Sequence, residues 1–380
     1  MAYRICVIEG DGIGHEVVPA ALEALRATGV SFDVQPAEAG WECFERQGVA
    51  LPEATLDAVC QADATLMGVM FSPSRLVEGY RSPAVTLRQR LGLYASLRPA
   101  RSWPLSRSRP GVDLLIVREN TECVYARPEE RRGDDMAVVE RVITRQASER
   151  IGRKAAELAA GRRKRLTIMH KANIFPLTCG LFRDAVRQAA QAYPDVQVEE
   201  VFADTLAMRL LREPERFDVI VTTNLFGDII SGEAAMLCGG IGLAPSASLS
   251  DTLAVFAPVH GSAPDIAGRG VANPMASMLA GAMLLAYLGE RDAAERLTAG
   301  VEAAIHAGAI TPDLGGRATT NAVTDAVISA MQTGRPAQAE PARPPALPPW
   351  CALDAEAELA FLQDDSVLLE PLPDCNALEE

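Results

Sequence analysis

The chain has 380 residues, of which 48% are hydrophobic and 23% are charged. That length accommodates two or three domains of ordinary size, and the composition is typical of a soluble globular protein. The longest near-continuous apolar stretch, residues 278–288, is shorter than the roughly 20 residues of a membrane-spanning helix. Because Arg4 and Glu9 interrupt the first apolar run, no secretory segment is expected. Eight cysteines without a CxxC pair predict free thiols and a cytoplasmic location.

The formal net charge of −14 is concentrated at one end of the chain. Residues 351–380 contain nine acidic residues and no Lys or Arg, so the other 350 residues carry a net charge of only −5. This near balance leaves no basic excess, and we expect neither a nucleic-acid nor a membrane partner.

Apolar patterns predict alternating strands and helices along the first part of the chain. A strand over residues 3–8 precedes a glycine-rich turn and a helix over 15–28. Further strands are predicted over residues 64–69, 113–117, 166–169, 196–202 and 218–222, and further helices over 52–60, 148–160, 176–192, 205–212 and 276–289. This order favours an α/β layered fold. The helix over 276–289 is strongly apolar and is predicted to be buried in the core or an interface.

Three segments fall outside this alternation. Residues 102–111 are predicted to form a loop and a domain crossing. Residues 334–350 contain six prolines in 17 residues, which predicts a stiff linker. The acidic tail over 351–380 follows, and in it only residues 352–361 have the pattern of a short helix.

A glycine-rich turn follows the first predicted strand. Gly10, Gly12 and Gly14 suggest a dinucleotide-binding turn, but the third glycine comes one residue too early for GxGxxG. A tight turn with a close backbone approach is the alternative interpretation.

Three arginines lie near predicted strands. Arg118 directly follows the strand over 113–117, and an arginine just past a buried strand is expected to point into a cleft or into solvent. If Arg88 and Arg98 converge on it, the three guanidinium groups would suit a polycarboxylate through bidentate pairs. Three unrelated surface arginines are the alternative.

Other polar residues follow strand ends, where ligands bind in α/β sheets. Asp204 and Asp228 could hold a divalent cation such as Mg²⁺, or they could be helix N-caps. Lys171 could act as a base or could simply be exposed. The loop over 260–265 offers backbone donors but is not diagnostic by itself.

Taken together, these segments resemble the metal-dependent β-decarboxylating dehydrogenases, the isocitrate/homoisocitrate/3-isopropylmalate dehydrogenase family. The likeness is closest to homoisocitrate dehydrogenases, although residues 81–89 look like those of isocitrate dehydrogenases. The matching segments run in family order over residues 1–333: GDGIGHE (10–16), LRQRLxLYASLRP (87–99), VRENTE (117–122), HKANI (170–174), the turn at Asp204, TTNLFGDIISG (222–232), HGSAPDIAG (260–268), ANP (272–274) and TPDLGGRATT (311–320).

The resemblance implies an open α/β sheet sandwich of two domains that is not a classical Rossmann fold. Residues 1–97 with 245–333 would form a large cofactor-binding domain. Residues 98–244 would form a small domain with the metal and catalytic residues and a dimer arm near 124–143. A homodimer or higher homo-oligomer with shared active sites is implied, in which Lys171 and Asp204 serve the partner's cleft.

The resemblance also implies the roles of individual residues. Tyr125 and Lys171 would be catalytic, and Asp204 with Asp228 would hold Mg²⁺ or Mn²⁺. The small-molecule polycarboxylate substrate would be bound by Ser82, Arg88, Arg98, Arg118 and Asn173. NAD would be bound by His260, Gly261, Ser262, Ala263, Asp265, Ile266 and Asn273. Because the Asp265 carboxylate would accept hydrogen bonds from a ribose diol but repel a 2′-phosphate, NADP is expected to be a poor coenzyme.

The expected reaction is NAD-dependent oxidative decarboxylation of a 3-substituted malate of the isocitrate or homoisocitrate type to a 2-oxo acid and CO₂. The alternative substrates are 3-isopropylmalate, tartrate and a phosphonate analogue of isocitrate, because Ala84 and Val85 depart from the family pattern beside Ser82. Gly232 replaces the family's second metal-helix Asp, which predicts weaker metal affinity. With Ser96 and Cys123, this departure leaves a non-catalytic regulatory or binding subunit as the rival interpretation.

Overall fold

A ten-stranded sheet runs through the part of the chain that the computed structural model describes, residues 2–126 and 129–333. The predicted linker over 334–350 and the acidic tail lie outside the described residues. The strands of this sheet are β1 (Tyr3–Gly10), β2 (Phe32–Ala37), β3 (Ala64–Val69), β4 (Ala95–Arg101), β5 (Asp113–Glu119), β8 (Arg165–His170), β9 (Gln197–Phe202), β10 (Val219–Thr222), β11 (Pro245–Leu249) and β12 (Ala254–Pro258). Two short strands, β6 (Glu130–Arg132) and β7 (Met136–Val138), form a separate antiparallel pair.

Helices cover both faces of this sheet. They are α1 (Gly14–Ala27), α2 (Trp41–Gln47), α3 (Glu53–Gln61), α4 (Pro83–Arg90), α5 (Arg145–Ala160), α6 (Thr178–Ala190), α7 (Ala203–Arg212), α8 (Asn224–Leu237), α9 (Met275–Tyr287), α10 (Arg291–His306) and α11 (Thr320–Thr333). The predicted α/β fold is therefore confirmed. No helix in the described residues is both long and apolar enough to cross a membrane.

The strand order is β2-β1-β3-β12-β11-β4-β5-β10-β8-β9. The outer strands are parallel, but β11 pairs antiparallel with both β12 and β4, and β4 pairs antiparallel with β5. This centre distinguishes the sheet from a classical Rossmann sheet, as the resemblance implied. The sheet is continuous across the implied domain boundary, and the division into two domains remains a prediction.

Most predicted elements are present with boundaries that differ by one to three residues. The strand over 64–69 matches β3, and the segment over 102–111 contains no helix or strand. The apolar helix is α9, and ten of its residues are buried, which confirms its place in the core. Six of the eight cysteines lie in the described residues, and these six are free thiols.

The glycine-rich turn makes the close backbone approach that the sequence allowed. Gly10 has a φ of +80°, and a Cβ there would lie 2.0 Å from the Val69 carbonyl oxygen. At Gly12, with a φ of +57°, a Cβ would lie 2.4 Å from the carbonyl oxygen of Ser262. Any side chain at these two positions would push the turn away from β3 and from the loop after β12.

Asp11, in the same turn, connects three separate segments. Its buried carboxylate accepts hydrogen bonds from the backbone N–H groups of Trp41 at 2.8 Å, Glu42 at 2.9 Å and Phe71 at 2.7 Å. These bonds satisfy orphan donors at the start of α2 and attach the segment that leads to Ser82. Asp11 thereby fixes the path of the chain toward α4.

We expect Asp11→Ala to lower the free energy of unfolding by about 3–5 kcal/mol, because three N–H groups lose a charged acceptor. The measurement is urea denaturation followed by circular dichroism. Asp33→Ala is the matched control, since this exposed carboxylate has a 3.8 Å ion pair with Arg4 and a 2.9 Å hydrogen bond from Gln35 Nε2, both at the surface, and its removal should change stability by less than about 0.5 kcal/mol. Equal losses of unfolding free energy in the two variants would contradict the inferred role of Asp11.

Candidate functional site

Asp228 on α8 holds two arginines and a tyrosine. Arg98 Nη1 donates to its Oδ1 at 3.0 Å, and Arg118 Nη1 donates to the same oxygen. The hydroxyl of Tyr125 donates to Oδ2 at 2.9 Å. The sequence therefore identified residues that do come together, although they lie 130 positions apart.

The central strands explain this convergence. Arg98 lies in β4 and Arg118 lies in β5, and these antiparallel neighbours place both side chains beside α8. Arg118 lies within β5 and is only 1% exposed, so the predicted position just past the strand was wrong and the side chain does not reach solvent. The strand continues to Glu119, and the arginine remains buried because Asp228 and Asn224 satisfy its guanidinium.

Positive charge exceeds negative charge in this cluster. Arg88 on α4 is the third guanidinium, and burial together with the charges of Arg118 and Arg98 lowers its pKa to about 9. Burial and the charge of Arg118 lower the pKa of Arg98 to about 10. Both lowered pKa values leave Arg88 and Arg98 protonated at neutral pH. Within residues 2–126 and 129–333, Asp228 is the one carboxylate among the interaction partners of the three arginines.

Two donors in the cluster still lack acceptors. Arg98 Nε is buried without a hydrogen-bond partner. Within residues 2–126 and 129–333, the Arg88 guanidinium has neither a hydrogen bond nor an ion pair. Because unpaired buried donors and like charges both raise the free energy, the arrangement favours a bound anion with more than one carboxylate.

The hydroxyl of Tyr125 keeps its proton in this setting. Burial, reinforced by the negative charge of Asp228, raises the pKa of its hydroxyl. Gln89 Nε2 donates to the Tyr125 carbonyl at 3.0 Å and fixes the loop that carries the ring. The hydroxyl is therefore protonated at neutral pH and placed beside the arginines.

Lys171 and Asp204 form a second cluster. Lys171 Nζ donates to Asp204 Oδ2 at 2.7 Å. Burial acts to raise the pKa of Asp204, but the hydrogen bond and charge of Lys171 outweigh it and lower that pKa. Neither aspartate is a helix N-cap, because Phe202 precedes α7 and Thr223 precedes α8.

No hydrogen bond or ion pair joins the two clusters within the described chain. No group of three or more His, Cys, Asp or Glu side chains in these residues could hold a metal ion. Asp228 and Asp204 each offer hard carboxylate oxygens, which suit Mg²⁺ or Mn²⁺.

Two predicted substrate residues lie at the edges of these clusters. Ser82 is half-buried and directly precedes α4, where its carbonyl accepts from the Thr86 hydroxyl at 2.9 Å. Asn173 is exposed in the loop after Lys171. Neither side chain has a protein partner within the described ranges, so both are free to meet a ligand.

His170 contacts the loop that carries Lys171 through a hydrogen bond. Its Nδ1 accepts from the Ala172 N–H at 3.2 Å, so the neutral ring carries its proton on Nε2, which faces Glu200 Oε2 at 3.3 Å. Burial and the charges of Arg183 and Arg187 lower its pKa to about 4. The sequence contained His170 in a matching segment, but its supporting role was not predicted.

The predicted cofactor residues lie in the loop after β12. His260 Nε2 is buried without a partner, and Ala263 has a φ of +38°. Asp265 is exposed, with no protein partner in the described residues. Gly261, Ser262 and Ile266 belong to the same loop, whose Ser262 carbonyl accepts from the Ile13 N–H at 2.9 Å.

Asn273 differs from the other predicted cofactor residues. Its Nδ2 donates to Asp313 at 3.0 Å and its Oδ1 accepts from the Met275 N–H at 3.0 Å. The side chain is therefore committed to the start of α9, and any contact with a coenzyme would come from its remaining hydrogen-bonding capacity.

Gly232, which stands where the resemblance led us to expect an aspartate, leaves open space beside α8, because a Cβ there would meet no atom within 4 Å. The next residue, Glu233, has a buried Oε1 without a hydrogen-bond partner, and burial raises its pKa to about 7. Within the described residues, no hydrogen bond or ion pair joins it to Asp228. Glu233 is therefore no replacement for a second aspartate.

Comparison with known proteins agrees with this geometry. The family whose model matches residues 4–327 is described as isocitrate/isopropylmalate dehydrogenase. The isocitrate/homoisocitrate dehydrogenase of Thermus thermophilus is 56% identical over 334 residues, which cover 88% of this chain and 100% of that protein. The homoisocitrate dehydrogenase of Methanocaldococcus jannaschii is 44% identical, covering 86% and 97%. The crystal structure of isocitrate dehydrogenase from Methylococcus capsulatus superposes with a TM-score of 0.84 at 42% identity, covering 87% and 99%.

We expect the neutral state of His170 to make stability depend on acid pH. An unfolded histidine binds its proton near pH 6.5, whereas the folded pKa is about 4. The free energy of unfolding should therefore fall as pH drops from about 6.5 to about 4, with a His170 contribution on the order of 3 kcal/mol. Urea denaturation across this range should show a shallower fall for His170→Asn, and identical slopes would contradict the prediction.

Proposed function

Because the chain belongs to the isocitrate/isopropylmalate dehydrogenase family, we propose that it catalyses NAD-dependent oxidative decarboxylation with Mg²⁺ or Mn²⁺. The substrate would be a 3-substituted malate of the isocitrate or homoisocitrate type, and the products would be a 2-oxo acid and CO₂. One observation carries the proposal: two guanidinium groups bind Asp228 and the charge of a third, Arg88, acts on the same cluster, while donors of Arg98 and Arg88 lack partners in the described residues. A polycarboxylate would supply the missing negative charge.

The donor set fits a divalent cation. Asp228 of one copy and Asp204 of another would hold it, because each offers the hard carboxylate oxygens that these cations prefer. When bound, the cation withdraws electron density from the oxygens of the substrate. The pair of Asp204 with Lys171 supports this assignment, since it keeps the carboxylate ionised and close to a proton-transfer group.

The loop after β12 fits NAD. The unpaired buried Nε2 of His260 and the free carboxylate of Asp265 are polar groups that lack protein partners in the described residues. NAD supplies the hydride acceptor. We propose that Asp265 favours it over NADP, because a carboxylate repels a 2′-phosphate.

The residues of the chain divide the proton transfers between them. Arg88, Arg98 and Arg118 would bind and orient the substrate carboxylates. Lys171 of the partner copy would accept the proton of the 2-hydroxyl group, directly or through water. Tyr125, kept protonated by burial and by Asp228, would deliver a proton to the carbon that loses CO₂.

We propose a homodimer, or a higher homo-oligomer, with shared active sites. Helices α7 and α8 expose large apolar side chains, among them Leu211 at 56%, Ile229 at 65% and Met236 at 59%. An unpaired apolar face of this kind favours association with a second copy. It lies on the two helices that carry Asp204 and Asp228.

The γ-substituent of the substrate is less constrained. Ser82 offers a hydroxyl and Arg81 is exposed beside it, which favours an anionic group. Ala84 and Val85 present apolar surface on α4, which leaves 3-isopropylmalate, tartrate and a phosphonate analogue of isocitrate as alternative substrates.

The decisive experiment is a spectrophotometric screen for coenzyme reduction. Purified protein with Mn²⁺ is mixed with isocitrate, homoisocitrate, 3-isopropylmalate, tartrate or the phosphonate analogue, and with NAD or NADP. We expect NADH and CO₂ from at least one substrate and little reduction of NADP. Absence of turnover with all five would instead support a non-catalytic subunit of the same fold.

We expect Gly232→Asp to tighten Mn²⁺ binding by about tenfold, because a second carboxylate would lie one helical turn from Asp228 in open space. Mn²⁺ titration followed by electron paramagnetic resonance measures this without turnover. Ala322→Asp is the control, since it adds the same charge on the exposed surface of α11. Equal affinity in the wild type and both variants would contradict the prediction.

A further inference from the structure

Three polar side chains form a stripe along α8, which we call the arginine-orienting stripe: Asn224, Asp228 and Ser231. Their spacing of four and three residues places them on one face of the helix. Each accepts a hydrogen bond from Arg98 or Arg118. Only Asp228 is charged, and only Asp228 has a role in the proposed function.

Asn224 holds Arg118 through two bonds. Its Oδ1 accepts from Nε at 2.9 Å and from Nη2 at 2.5 Å, and both residues are 1% exposed. Its Nδ2 donates to the Glu122 carbonyl at 3.0 Å. Because oxygen must face the arginine and nitrogen must face the carbonyl, the amide has one orientation.

The stem of Arg118 is fixed by packing. A Cβ at Gly227 would lie 2.7 Å from Arg118 Cγ, so the helix leaves space only for the arginine stem at this point. The Tyr125 ring lies 5.3 Å from the Arg118 guanidinium carbon. Rotation of the side chain would therefore break both the Asn224 bonds and these contacts.

Ser231 holds Arg98 in a corresponding way. Its hydroxyl donates to the Asp228 carbonyl at 2.9 Å and accepts from Arg98 Nη1 at 2.6 Å. Ser231 is buried, so water does not compete for the bond. Arg98 Nε remains free for a ligand.

We propose that Asn224 and Ser231 are positioning residues that keep Arg118 and Arg98 oriented for a polycarboxylate independently of Asp228. This inference rests on the proposed function, in which Asp228 also holds a divalent cation. A carboxylate that binds a cation has fewer lone pairs for guanidinium donors, whereas the neutral acceptors keep theirs. Neutral groups at these positions also preserve the positive charge of the three arginines, whereas carboxylates there would cancel part of it.

The ligand-binding test uses (R)-malate, the core shared by 3-substituted malates, in calorimetric titrations with and without Mg²⁺. We expect Asn224→Ala and Ser231→Ala to weaken binding by about 10- to 100-fold, and more with Mg²⁺ than without it. Ser231→Thr, which keeps the hydroxyl, should restore most of the affinity. Ser246→Ala is the matched control, because that buried hydroxyl bonds only the Ala257 carbonyl at 2.9 Å.

Steady-state kinetics separate positioning from folding. With the substrate identified in the screen, KM should rise in Asn224→Ala while kcat changes less, because the arginines bind the carboxylates throughout the reaction. Asn224→Asp should also raise KM, because its second oxygen adds negative charge beside Arg118. Wild-type affinity in both alanine variants would overturn the inference and leave the proposed function intact.

A measurement without any ligand tests the inference even if the proposed function is wrong. Nuclear magnetic resonance of ¹⁵N-labelled arginine side chains reports the Nε–H of Arg118, which should be protected from exchange in the wild type. We expect protection to persist in Asp228→Asn and to be lost in Asn224→Ala. The reverse pattern would overturn the inference, even if the wild type bound no malate.

Discussion

The carboxylate of Asp228 is the interaction on which the rest of the site depends. It lies on α8 and compensates part of the charge of Arg98 and Arg118 in the middle of a sheet. One carboxylate cannot balance three guanidinium groups, and the pKa values of Arg88 and Arg98 are lowered by burial and, in addition, by the charges of the neighbouring arginines. A bound polyanion would relieve the repulsion, so binding of the substrate and stability of the site are linked.

The antiparallel strands at the centre of the sheet place the arginines beside Asp228. Antiparallel pairing of β4 with β5 places Arg98 and Arg118 on neighbouring strands, and α8 crosses beside them. Lys171 pairs with Asp204 at the start of α7, and within the described residues no hydrogen bond or ion pair joins this pair to Asp228. In the proposed homodimer, the acid, the base and the cation ligands would come from two copies of the chain, and the exposed apolar side chains of α7 and α8 support that proposal.

Much of the fold could be predicted from the sequence because its strands are short apolar runs between helices. The strand over 64–69 and the buried helix α9 are examples. β4 was missed because Arg98 and Pro99 interrupt its apolar pattern, and Arg118 was placed outside β5 because a buried arginine depends on partners distant in sequence. Asn224, Ser231 and His170 lay inside matching segments, but only the structure reveals what their hydrogen bonds hold.

The central claim, that one active site is built from two copies of the chain, is tested most directly by complementation. Differently tagged Lys171→Met and Asp228→Asn chains are co-expressed and the mixed dimer is purified. A shared site predicts about half of the wild-type rate, because one of the two sites regains every residue. The mixed dimer of Lys171→Met with Asp204→Asn should be inactive, since both changes lie on the contributed side. An inactive first dimer would contradict the account.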